Sequence, residues 1–220
     1  TAVGANAGDA ITTGNYNVGL GNNAIGAVTT GSNNVGIGVQ ALYNTTGNSN
    51  VAVGTTAMNA NTSASNNTAV GNNALASNTT GTQNVAVGSL ALDAGTTNTN
   101  CVAVGYSSLS ANTADNNVAV GAGALEVNTS GTSNVALGAF ALDANTTGPN
   151  NTAVGRDALG ATTTGANNVA IGKNAGSSIT TAGFSICIGH EAGDSLTTQS
   201  FNTAIGATSM GEATTTQSVA

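Results

Sequence analysis

Asn84-Val85-Ala86-Val87-Gly88 is one copy of a motif that recurs along the whole chain. Close variants end on Gly4, Gly21, Gly38, Gly54, Gly71, Gly88, Gly105, Gly121, Gly138, Gly155, Gly172, Gly189 and Gly206. The spacing is 17 residues, apart from steps of 16 from Gly38 to Gly54 and from Gly105 to Gly121. Thirteen units therefore fill the 220 residues. A unit this small cannot bury its own apolar side chains, whereas stacked units can, so the period predicts a solenoid.

Each slot of the unit has a physical reading. The residue before the anchor Gly is Val, Leu or Ile, and the residue two before that is Val, Ile or Thr. Alternating branched residues predict a short strand. Between them stands Ala or Gly, or in one unit Cys187. Both strand faces are thus apolar, one branched and one tiny. The branched face is expected to fill the roll and the tiny face to meet something that comes very close. After the anchor comes a two-residue turn, often Asn-rich, as at Asn22-Asn23 and Asn72-Asn73. Gly and Asn suit the positive φ of such turns. A second apolar pair follows (Ala24-Ile25, Ala41-Leu42, Ala57-Met58, Ala74-Leu75, Ala141-Leu142) and is read as a second, shorter strand. A further turn, often Thr-Thr-Gly, absorbs the length variation.

Four residues before the anchor stand Asn17, Asn34, Asn50, Asn67, Asn84, Asn117, Asn134, Asn151, Asn168 and Asn202, with Cys101 and Ser185 as exceptions. Stacked coils would align these into an Asn ladder, each amide bonding to the next coil. The anchors Gly21, Gly38, Gly54, Gly71, Gly88, Gly105, Gly121, Gly138, Gly155, Gly172, Gly189 and Gly206 are expected to be structural because Gly supplies the positive φ of the turn.

Composition excludes several functions. Charged residues make up 5% of the chain, against about 25% in an average domain. Two basic residues and nine acidic ones give a net charge of −7, so phosphate neutralisation by Lys/Arg is not available and no nucleic-acid partner is expected. No run of about 20 apolar residues exists, so no membrane insertion is expected in this segment. One His and scattered carboxylates leave little acid/base chemistry; the chain is not expected to be an enzyme, and no cofactor or metal is expected.

The remaining reactive residues have plain readings. Cys101 and Cys187 occupy different slots about five repeats apart, too far for a disulfide. His190-Glu191 and Arg156-Asp157 lie in equivalent turns and read as solvated pairs. Asp93, Glu126 and Asp143 follow the Leu slot on the outer surface, without the Gly-Gly-x-Gly-x-Asp loops of repeat calcium rolls. Asn44, Asn61, Asn66, Asn78, Asn128, Asn145 and Asn150 stand in Asn-x-Ser/Thr sequons. Thr1 lies three residues before an anchor and Gln217-Ser218-Val219-Ala220 resembles the start of a fourteenth strand. Residues 1–220 are therefore expected to be one repeat β-roll segment of a longer chain, uncapped at both ends.

The string Asn66-Asn67-Thr68-Ala69-Val70-Gly71-Asn72-Asn73-Ala74-Leu75-Ala76-Ser77-Asn78-Thr79-Thr80-Gly81 resembles repeats of bacterial and phage tail-fibre-domain proteins. It is also similar to the head repeats of trimeric autotransporter adhesins, which carry an Asn-Ser-Val-Ala-Ile-Gly-type motif; Asn168-Val169-Ala170-Ile171-Gly172 matches that core best. The adhesin heads use a shorter repeat. The resemblance spans essentially the whole chain and implies an all-β, left-handed parallel β-roll of about thirteen coils, assembled as a homotrimeric fibre. It implies an extracellular, cell-surface or virion location, and attachment to a host or surface glycan or protein receptor. The tiny strand residues Ala52, Ala69, Ala86, Ala103, Ala119, Ala136, Ala153 and Ala170 fit a trimer axis, and on that reading form the subunit interface. The expected function is a structural fibre or adhesin module. Two alternatives are weaker. A flat ice-binding solenoid would place Thr-x-Thr in a strand, whereas the Thr pairs here are adjacent and point opposite ways. A hexapeptide-repeat acyltransferase or a β-helical lyase fits neither the period nor the scattered carboxylates.

Overall fold

The computed structural model describes residues 1–211; the strand-like end, residues 217–220, lies outside them. The chain divides into two compact units, Thr1–Thr113 and Ala114–Ala220. The first holds β1 (Ala2–Val3), β2 (Val18–Leu20), β3 (Val35–Ile37), β4 (Val51–Val53), β5 (Thr68–Val70), β6 (Val85–Val87) and β7 (Val102–Val104). The second holds β8 (Val118–Val120), β9 (Val135–Leu137), β10 (Thr152–Val154), β11 (Val169–Ile171), β12 (Ile186–Ile188) and β13 (Thr203–Ile205). Within each unit every strand pairs in parallel with the next one in sequence, with equivalent residues side by side, as in Ala69↔Ala86 and Ala153↔Ala170. Each unit is therefore a parallel β-solenoid, and no helix occurs among the described residues.

Backbone strain is concentrated at the corners. The anchor glycines have φ between 119° and 142°, which L side chains rarely adopt. At Gly138 an added Cβ would also lie 2.5 Å from the Gly155 carbonyl oxygen of the next coil. The anchors thus let one corner stack directly upon another.

The second apolar pair is not a strand, which corrects the sequence expectation. It forms a corner in which the long residue adopts a left-handed conformation: φ is 47° at Ile25, 53° at Leu75 and 53° at Leu142. This conformation costs an ordinary residue about 1–2 kcal/mol. Burial of the same side chain contributes about 1.5–3 kcal/mol, and Ile25, Leu42, Met58, Leu75, Leu92, Leu125, Leu142 and Leu159 are all fully buried. The corner also keeps a coil-to-coil bond: Leu75 N–H donates to the Ala91 carbonyl at 2.9 Å and Leu142 N–H to Ala158 at 3.0 Å.

The strand faces are the reverse of the sequence expectation. Ala52, Ala69, Ala86, Ala103, Ala119, Ala136, Ala153 and Ala170 are fully buried within the single chain. They have no surface left to give to a partner, so they do not form a subunit interface. The branched residues on either side of them face outward. The reason is the width of the roll, which the long corner residue already occupies. Where the slot holds Gly19 or Gly36, even a methyl would come within 2.6 Å or 2.7 Å of Ile25.

Placing Leu at the Ala86 position should overpack this interior and lower the unfolding free energy by about 1–3 kcal/mol or more. Val87→Thr on the outer face should change it by less than about 0.5 kcal/mol. Chemical denaturation followed by circular dichroism compares the two; equal effects would place Ala86 on the outer face.

Candidate functional site

The Asn slot before each strand is buried and continuous from coil to coil. Asn67 Oδ1 accepts from Asn84 N–H at 2.9 Å, and Asn84 Oδ1 accepts from Cys101 N–H at 2.9 Å. In the second unit Asn117 Oδ1 accepts from Asn134 N–H, Asn134 from Asn151, and Asn151 from Asn168, at 2.9–3.0 Å. Each Nδ2 turns to the preceding corner's neighbour: Asn151 Nδ2 donates to the Gly165 carbonyl at 2.8 Å. Asn17, Asn34 and Asn50 run the same pattern, with Asn34 and Asn50 N–H each bonded to the previous Asn Oδ1 at 2.9 Å. Ser185 takes up Asn168 Oδ1 at 3.0 Å, but its own buried hydroxyl is too short to bond onward among the described residues. Asn202, in the coil above, turns its Nδ2 to Gln199 instead. These side chains complete the backbone and present nothing to a ligand.

Two further columns were not recognised in the sequence. Seven residues after the anchor, Asn61, Asn78, Asn128 and Asn145 are fully buried. Asn78 folds back on Gly81, accepting its N–H at 3.1 Å and donating to its carbonyl at 3.0 Å. Four of the seven sequons are therefore inaccessible, whereas Asn44, Asn66 and Asn150 lie at the surface. The usable signal was the offset itself: Val28, Ile179 and Leu196 occupy the same slot in other coils, so the slot faces inward. One residue on, every unit carries Thr. Thr79 Oγ1 donates to the Thr96 carbonyl at 3.0 Å and Thr146 Oγ1 to Thr163 at 3.0 Å, beside parallel N–H bonds to the same carbonyls.

The reactive residues do not converge. Cys101 and Cys187 are both buried and in no disulfide with each other, and desolvation pushes Cys187 up to about 11. His190 Nε2 lies 3.5 Å from Glu191, and Arg156 Nε lies 3.1 Å from Asp157, both pairs at the surface. No group of three or more His, Cys, Asp or Glu among the described residues is placed to hold a metal ion. Asp93 and Asp143 have their pKa values raised, chiefly by desolvation; at Asp143 the Asp157 and Glu126 carboxylates add to it.

What remains as a candidate site is the outer strand face. Its exposed branched residues include Val18, Leu20, Val70 and Val87 in the first unit and Val120, Leu137, Ile171, Ile186 and Ile205 in the second, with exposures from 36% to 58%. Two such columns per unit form an apolar ribbon, on the order of the few hundred Å² that marks an interaction surface. The two edges of the ribbon differ in the second unit. Arg156, Lys173 and His190 follow successive anchors along one edge. Phe184 and Phe201, two residues before β12 and β13, lie along the other and stack at 5.2 Å with their planes 7° apart.

A raised carboxylate pKa means that the folded state holds the proton more tightly than the unfolded chain. Its contribution to stability is full below the unfolded pKa and is lost as pH rises through the folded one. Asp143→Asn should therefore raise the thermal midpoint at neutral pH and flatten its fall as pH rises above the ordinary carboxylate range of about 4. Thermal melts across that rise in pH measure it, and an unchanged slope would refute the assignment to Asp143.

Comparison of the chain with protein-family models, with curated proteins and with solved structures gave no match.

Proposed function

We propose that this chain is a structural fibre or adhesin module of an extracellular, cell-surface or virion appendage, without catalysis. In this reading the roll is left-handed, three copies assemble side by side, and attachment to a glycan or protein receptor uses the polar corners. The observation that carries it is the uncovered apolar ribbon on coils whose Asn and Thr columns bond within the stack. The strand-slot Asn column and the Thr column direct their polar groups to the next coil, as structural side chains do, and the branched ribbon supplies a surface that burial against like surfaces would stabilise. Assembly through Val and Ile replaces assembly through Ala, because only the branched residues retain area to bury. Repetition along the stack would also let weak receptor contacts act together.

One observation favours a second reading, a flat surface-binding solenoid such as an ice-binding protein: the Thr column repeats once per coil. Its hydroxyls donate into neighbouring carbonyls on side chains that are half-exposed, as at Thr79 and Thr146. Thermal hysteresis of the ice front separates the readings: the fibre reading expects none, and a concentration-dependent hysteresis would favour the alternative.

Analytical ultracentrifugation tests the assembly. The chain should sediment as a trimer. Val87→Lys and Leu137→Lys together should shift it towards monomer with its circular dichroism unchanged, since charges on a buried ribbon are strongly disfavoured. A stable wild-type monomer would overturn the interface.

A further inference from the structure

The two edges of the ribbon in the second unit carry unlike chemistry. All the basic side chains of the chain, Arg156, Lys173 and His190, stand in one slot of three successive coils. Asp157 and Glu191 offset two of them in exposed pairs, which contribute little. Lys173 is exposed, and no ion pair joins it to a described residue. On the opposite edge Phe184 and Phe201 are 57% and 59% exposed, in a slot that holds Asn150 and Asn167 in the two preceding coils. A large aromatic surface is left in water there, with Ile171, Ile186 and Ile205 between the edges, also exposed.

We propose that the basic edge packs against the Phe184–Phe201 stack of a second, parallel copy of this chain. The inference rests on the self-association proposed above and specifies its orientation. When copies surround an axis parallel to the coil stack with their ribbons facing inward, the edge after the strand in one copy meets the edge before the strand in its neighbour. His190 shares its coil with Phe184, so these two meet, and Lys173 reaches the same ring from the coil below. A cation near an aromatic ring is attracted by the ring's quadrupole, more strongly when water is excluded. Antiparallel pairing would bring like edges together, setting Lys173, which no described acidic side chain pairs, towards its own copy and leaving the Phe184–Phe201 stack without a basic partner. The unlike edges thus select the parallel assembly.

Disulfide trapping tests this in the full chain. The background is Cys101→Asn and Cys187→Ala, each restoring the residue that the repeat uses in that slot. Phe184→Cys and His190→Cys are then added together. Within one chain the two positions flank β12, about 15 Å or more apart along an extended backbone, whereas a disulfide needs Cα atoms within about 7 Å. Mild oxidation should give covalent species on a denaturing gel that rise to the size of the assembly, while neither single-cysteine variant cross-links. Dimers from a single-cysteine variant would show like edges meeting and overturn the proposal. Absence of cross-links from a chain that still sediments as an oligomer would also overturn it, leaving the assembly itself intact. A monomer in sedimentation would remove both readings. As a second arm that leaves the native cysteines in place, Phe184→Asn and Phe201→Asn install the residue of the neighbouring coils. They should raise the concentration for half-dissociation about tenfold or more without changing the circular dichroism. An unchanged value would overturn the edge contact.

Discussion

Within each unit, the described coils are completed by their neighbours. The strand, the corner and the turn each give an N–H to a carbonyl in the coil beside them, and the buried Asn column adds a side-chain acceptor where the backbone alone would leave a donor unmatched. Removing one such amide would leave a buried N–H and a buried carbonyl unpaired, at about 1–3 kcal/mol for each. Close stacking is thus the constraint from which the rest follows. It requires glycine where corners lie directly over one another, as at Gly138, and it requires slot-for-slot repetition, because a polar residue shifted by one place would find an apolar neighbour.

Stacking also decides what may be inside. A coil of 16 or 17 residues encloses the long corner side chain, the two inward slots exemplified by Asn67 and Asn78, and little else. The strand contributes Ala, and its branched residues are left outside. The composition that looks poor in core residues is therefore a composition suited to a narrow interior, with much of its branched apolar surface facing outward. That outward surface is what the proposed assembly would bury, and in that proposal the unlike edges beside Ile186 give it a direction.

The period, the strands, the anchors and the Asn column could all be read from the sequence, because each rests on a fixed offset and a residue type with few physical uses. The direction of the strand faces could not. Val85-Ala86-Val87 alternates equally well with either face inward, and the usual expectation that the larger residue goes inside fails once Leu75 and Leu92 have taken the space. The corner was misread for a related reason. Ala74-Leu75 has the composition of a strand, and Leu has no intrinsic preference for positive φ; only its complete burial holds it there. Asn78 and Asn145 were hidden by their resemblance to turn residues, although Val28 and Ile179 in the same slot mark it as interior.

The coil-to-coil hydrogen bonds have a mechanical consequence. They run along the stack, so within either unit a pull on the ends of the chain does not load them together in shear. It opens them one coil at a time, like a zip. Each coil that peels away releases 16 or 17 residues, or about 55 Å of extended chain, while the coils below keep their own bonds and corners. Such a solenoid yields in equal small steps and dissipates work at each one, behaving as an extensible fuse instead of a rigid strut.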